Sequence, residues 1–136
     1  MTLVAGVDGC KAGWFVVFAN ATTEKIIDCK CVKKLADLFH YSPQLNIIAI
    51  DIPIGLLSAA KRGGRDCDIL ARKMLRFPRS SSVFSPPVRS ALDHPENYSD
   101  ANYANRNSSI EEIGISQQCF GIFPKIIEVD TLINPD

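Results

Sequence analysis

Neither sign of charge dominates this chain: lysine plus arginine and aspartate plus glutamate number 15 each, for a formal net charge of zero. That excludes a global basic field of the kind that gathers nucleic acid, so any phosphate-binding surface must be local. No stretch is long and apolar enough to span a bilayer, and membrane insertion is not expected. Histidine is scarce, with two residues, and His40 and His94 stand in unrelated contexts. A histidine-based catalytic dyad therefore has little support. Cysteine is present but odd in number, five residues, scattered at positions 10, 29, 31, 67 and 119, which suits reduced thiols better than a disulfide framework. Cys29 and Cys31 are read as facing opposite sides of a strand and hence as a poor metal clip. The start, "MTLVAGVDGC", has no basic leader before its short apolar run, so a secretion signal is not expected and the expected location is cytoplasmic.

What is present is a chain of 136 residues that is 46% hydrophobic, enough for a single globular domain over residues 1–136 with a real core. Leu3 to Val7 and Trp14 to Phe18 are strand-like, and Ala19 to Thr23 reads as a turn before a third strand, Lys25 to Cys31. "VKKLADLFH" sets Val32, Leu35, Leu38 and Phe39 at helical spacing, which predicts a crossover helix. "LNIIAIDIP" predicts a strand from Leu45 to Ile50, buried on both faces and stopped by Asp51 and Pro53. An antiparallel meander, a crossover helix and a parallel strand make an α/β layer architecture.

Residues 65–136 change character to a helical and loop portion. "RDCDILARKML" predicts a helix, and "RFPRSSSVFSPPVRSALDHPENY" a long loop. A helix is expected after a cap at Ser99, and another after Ser116, kinked at Pro124. Nothing after Asp51 reads as a convincing strand, although a buried parallel strand ordinarily has further neighbours. The chain is therefore expected to be a natural short form or a piece of something longer. In the second case apolar surface is left uncovered, and homo-oligomerisation is the expected response.

The candidate chemistry lies in two places. A right-handed crossover from the meander brings the fourth strand beside the first, with Asp8 and Asp51 at adjacent strand ends about 5 Å apart. Two such carboxylates repel unless a cation sits between them, and Mg²⁺ and Mn²⁺ prefer carboxylate and water ligands. Against this stands a plainer reading: Asp8-Gly9 is a hairpin signal, and Asp51 closes a strand. Lys11 could meet a phosphate or be a solvated turn lysine, and Trp14 is expected in the core. The second place is "GGRDCDILARKMLRFPRSSSVFSPPVR". Arg65, Arg72 and Arg79, with Ser81 among the serines, can hold phosphates by bidentate and hydroxyl hydrogen bonds. Equally, Arg65 and Arg72 share a helix face with Asp68, which can pair with either.

"GVDGCKAGW", "IDIPIGL", "GRDCDILAR", "RSSSVFSPP" and "SQQCFGIFPKIIEVD" together resemble the domain-of-unknown-function family 429, described as predicted nucleases of ribonuclease-H-like fold. The likeness runs in order along nearly the whole chain. It implies a mixed sheet ordered as in ribonuclease H, with Asp8 and Asp51 in the positions of acidic metal ligands. Members of the family continue beyond the "KIIEVDTLINP" region into a further strand, a His-Pro-Glu segment and more helix, where a later acidic ligand lies. The His-Pro-Glu at His94 to Glu96 is in the middle loop and is not that segment.

The expected function is thus a divalent-metal-dependent nuclease, a hydrolase of phosphodiester bonds using Mg²⁺ or Mn²⁺ in a one- or two-metal site. Asp8 and Asp51 are its catalytic ligands, and Lys11, Arg65, Arg72, Arg79 and Ser81 its substrate contacts, with nucleic acid or another phosphodiester as partner. Two rivals stand beside it. One is a nucleotide- or anion-binding regulatory domain without turnover. The other is an ATP-dependent phosphotransferase of the actin and sugar-kinase superfold, for which "DGCKAG" lacks hydroxyl residues facing a phosphate.

Overall fold

The computed structural model describes residues 1–41 and 43–133. The architecture is mixed α/β, in two compact units: Met1–Ile52 with the residues from Glu128 onward, and Pro53–Ile127.

The first unit holds a four-stranded sheet of β1 (Leu3–Cys10), β2 (Gly13–Asn20), β3 (Lys25–Val32) and β4 (Ile47–Ile50), in the order β3-β2-β1-β4. The first three strands form the antiparallel meander, and β4 pairs with β1 in parallel. Alternation sets the core. Ala5 and Val7 of β1 point to one face with Trp14, Val16 and Phe18 of β2, and pack with Leu35, Leu38 and Val129. Each fully buried large side chain of this set contributes roughly 1.5–3 kcal/mol.

Three expectations for this unit are corrected. Asp8 is not a turn residue: β1 continues through it, Asp8 pairs with Phe15, and the hairpin turn is Lys11 and Ala12. The apolar partners on β2 extend the ladder past the Asp-Gly signal. The crossover helix is only a 3₁₀ turn, Leu35–Leu38, with Val32 in β3 and Phe39 exposed. Two apolar anchors, Leu35 and Leu38, eclipse at a spacing of three, which a single 3₁₀ turn satisfies. The fourth strand begins at Ile47 and is not buried on both faces: Ile47 and Ala49 are exposed while Ile48 and Ile50 pack against the core. An unbroken apolar run carries no alternation from which to read an open face.

The second unit carries α1 (Asp66–Leu75), α2 (Tyr98–Asn107) and α3 (Gln117–Gly121), and α4 (Phe123–Ile133) begins in it. The proline-rich loop contains two 3₁₀ turns, Arg79–Ser82 and Arg89–Asp93. Its centre is organised by the buried Asn105, whose amide oxygen accepts from Val88 N at 2.8 Å and whose amide nitrogen donates to Ile113 O at 2.7 Å. The expected cap at Ser99 is replaced by Asn97, whose side chain accepts from Asp100 N. Ser116 caps α3 as expected, its hydroxyl accepting from Cys119 N. Pro124 does not kink a helix. It lies in the first turn of α4, where a missing N–H costs nothing, and the helical run breaks before it at Ile122.

Candidate metal centre

β1 and β4 run in parallel with Val7 opposite Ile50, and the Asp51 N–H donates to the Val7 carbonyl at 3.0 Å. The ladder therefore extends one residue past β4, and Asp51 stands beside Asp8 of β1, on strands about 4.8 Å apart in the pairing direction. Both residues are exposed. Val7 is committed to the core, so Asp8 faces the opposite side of the sheet with Gly6 and Cys10. Gly6 pairs with Ala49, and a Cβ built on Gly6 meets nothing within 4 Å. On the Gly6 side the floor beside the carboxylates is thus small side chains with open space above, while Phe15 of β2 stands on the other side of Asp8.

This donor set fits a hard divalent cation that keeps most of its water and takes one or two carboxylates, as Mg²⁺ does. It does not fit a closed protein cage: among the described residues no group of three histidine, cysteine, aspartate or glutamate side chains converges. Lys11 is exposed at the hairpin tip, three residues along the chain from Asp8.

The arginine segment lies in the second unit. Arg65 caps α1, donating through Nη2 and Nε to Asp68 at 2.7 and 3.0 Å and through Nη1 to the Ile54 carbonyl, while its own N–H donates to Asp68 Oδ2 at 2.9 Å. Both side chains of the pair are largely buried. Burial alone would push the Asp68 carboxyl up, but the side-chain and backbone hydrogen bonds from Arg65, with its charge and that of Arg72, outweigh this and lower it. Of the two partners open to Asp68 in the sequence, the ion pair forms with Arg65. Arg72 braces the following loop, donating to the Val83 carbonyl at 2.9 Å, to Ser85 Oγ at 3.2 Å and to the Gly63 carbonyl. Arg79 is exposed at the start of its 3₁₀ turn. The Ser81 hydroxyl donates to the Pro78 carbonyl at 2.7 Å.

The structure thus brings Asp8, Asp51 and Lys11 into one unit and Arg65, Arg72, Arg79 and Ser81 into the other.

Two features escaped the sequence. Glu128 stands in an apolar helical run, and its carboxylate accepts from the Trp14 indole at 2.9 Å and from Leu35 N at 2.5 Å. A lone carboxylate between the buried Ile126 and Val129 was the available signal. The second feature concerns cysteines. Cys29 and Cys31 do not face opposite sides of β3: residues two apart on a strand share a face. Cys31 pairs with Phe15 and Cys29 with Val17, so both lie on the Asp8 side of the sheet, with Cys10. All five cysteines are free thiols. The Cys31 thiol is pushed up by desolvation and then by its hydrogen bond and charge interaction with Cys10 and the charge of Cys29. Burial alone pushes Cys119 up to about 11, as for an inert core thiol.

No curated protein and no solved structure matches the chain. A family model described as "Protein of unknown function (DUF429)" matches residues 6–136. With nearly the whole chain covered, from the β1 aspartate strand through the last helix, the protein belongs to the DUF429 family.

Proposed function

We propose that the protein is a divalent-metal-dependent phosphodiesterase of nuclease type on a ribonuclease-H-like fold. One observation carries the reading: the parallel β1–β4 pairing, which sets Asp8 beside Asp51 with open space over Gly6. A bound Mg²⁺ or Mn²⁺ supplies charge neutralisation at the phosphate and a more acidic water. The chain's own residues hold and orient. Asp8, held extended in β1 by its pairing with Phe15 of β2, gives the first carboxylate, and Asp51, just past the end of the β4 ladder, gives the second. Lys11 at the hairpin tip supplies a point charge for a phosphate oxygen. In the other unit Arg65 and Arg72 spend donors on internal partners, whereas Arg79 is exposed. The lack of a third converging ligand among the described residues supports a second reading, a nucleotide- or anion-binding domain without turnover.

The test is Mn²⁺ titration calorimetry on wild type and Asp8→Asn, with melting curves and a nuclease assay alongside. Asparagine keeps the size of the side chain and removes the charge. The expected result is a loss of Mn²⁺ affinity of about tenfold or more with the fold retained, because one of two anionic ligands is gone. Unchanged affinity sinks the metal site, and metal binding without product in Mg²⁺ or Mn²⁺ selects the binding domain.

A further inference from the structure

Residues 69–92 carry Arg72, Lys73, Arg76, Arg79 and Arg89 and no aspartate or glutamate, in a chain of zero net charge. The second unit therefore gathers positive charge at the C-terminal end of α1 and just beyond it. Arg72 is turned inward to its carbonyl and hydroxyl partners. Lys73, Arg76 and Arg79 are exposed, and no ion pair among the described residues holds them. Between these cations stand uncovered apolar side chains. Met74 is 82% exposed and Phe77 91%, with Leu70 and Leu75 exposed as well. Leu70 and Met74, four residues apart, share one face of α1, and Lys73 flanks them. Arg76, at φ +56°, closes the helix, and Phe77 follows outside it. Within α1, the carboxylate that helical spacing puts on this face is Asp66, at the far end and paired with Lys61 at 2.6 Å.

We propose that the end of α1, from Leu70 to Arg79, is a peripheral docking surface for an anionic lipid bilayer. Its partner must offer apolar volume and negative charge together. A nucleic acid meets the cations but leaves Leu70, Met74 and Leu75 uncovered, and one exposed ring is not a row of stacking platforms. A folded protein must match projecting side chains with a groove of fixed shape. The boundary between headgroups and acyl chains takes projecting side chains of any shape, while long lysine and arginine stems lift their charges to the headgroups. Met74 and Phe77 enter that boundary, and Lys73, Arg76 and Arg79 meet the anionic headgroups. The contact lies on the surface: no helix among the described residues is long and apolar enough to cross a membrane. The proposal stands without the nuclease reading, and Asp8→Asn, altered in the other unit, should bind vesicles as wild type does.

The experiment is vesicle flotation of the full chain with mixed phosphatidylserine–phosphatidylcholine vesicles and with pure phosphatidylcholine vesicles. Wild type should float with the mixed vesicles, little with the neutral ones, and be released as salt rises from about 0.05 to 0.5 M. Met74→Ser with Phe77→Ser should weaken binding to the mixed vesicles about tenfold or more, because the apolar area to be buried is gone. Lys73→Glu with Arg76→Glu should weaken it to a similar degree of about tenfold or more. Both variants should keep the wild-type melting temperature, since the replaced side chains are exposed. If a variant fails to fold, lipid composition and salt still decide on wild type. Absence of flotation overturns the proposal, as does equal binding to neutral vesicles or binding that both folded variants retain. Capture of polyglutamate or a single-stranded oligonucleotide in place of vesicles gives the surface to another partner and overturns it too.

Discussion

Asp68 shows at the scale of one residue how a charge can be read in the sequence while its role cannot. The spacing of Arg65, Asp68 and Arg72 on one helix face leaves open which arginine the acid takes. The answer came from the N-terminus of α1, where Arg65 is the capping residue and Asp68 is placed to accept from both its backbone and its guanidinium. Because the folded carboxyl lies below its ordinary range, the pair's contribution is fully present above about pH 4 and is lost as pH falls further, through the folded value. Asp68→Asn should cost about 3 kcal/mol at neutral pH, since it leaves a largely buried guanidinium without its counter-charge. It should also flatten the acid limb of stability. Urea melts of both proteins at pH 7 and pH 3 check this, and equal slopes would show that another group governs the acid limb.

Among the elements, the sheet was more legible than the helices. Short apolar runs and the turn between them announced β1, β2 and β3, and the parallel return of β4 followed from the handedness of crossovers. The connection itself was misjudged, because four apolar residues at helical spacing suit a short 3₁₀ turn as well as a helix. What holds that turn is remote in sequence: the Glu128 carboxylate takes its first N–H at Leu35 and the Trp14 indole. Glu128→Gln keeps the shape of the side chain but removes the charge and turns one acceptor into a donor facing a donor. A loss of about 2 kcal/mol is expected, the value of charge-assisted bonds in a partly buried setting. Near-ultraviolet circular dichroism should report the freed indole, and an unchanged Trp14 signal with unchanged stability would count against this anchoring role.

For the whole molecule, balanced charge and open apolar surface act together. Ile26 is 74% exposed, Ile47 59% and Phe15 43%. With 15 charges of each sign and a sequence pI near 6.7, self-repulsion is weakest close to neutral pH. Association is therefore expected to be strongest near the pI and to decline as pH is raised to about 9, where net negative charge accumulates. Light scattering across that range measures it, and a monomer throughout would mean that these side chains do not drive contact.

The order of apolar and polar residues by itself determined the strands, the Ser116 cap and the candidate carboxylates, since each depends on neighbours a few residues away. Only the tertiary structure decided that Asp8 lies inside a ladder and not in a turn, because the partner that holds it extended, Phe15, is fixed by pairing between strands. It likewise decided that Arg65 and Arg72 are tied to internal partners. Hydrogen bonds to carbonyls at Ile54 and Val83, and a backbone approach that only a glycine at position 13 permits, leave no pattern in the sequence. Local periodicity encodes which face a side chain takes, whereas what it meets there is set by chain segments that folding alone brings together.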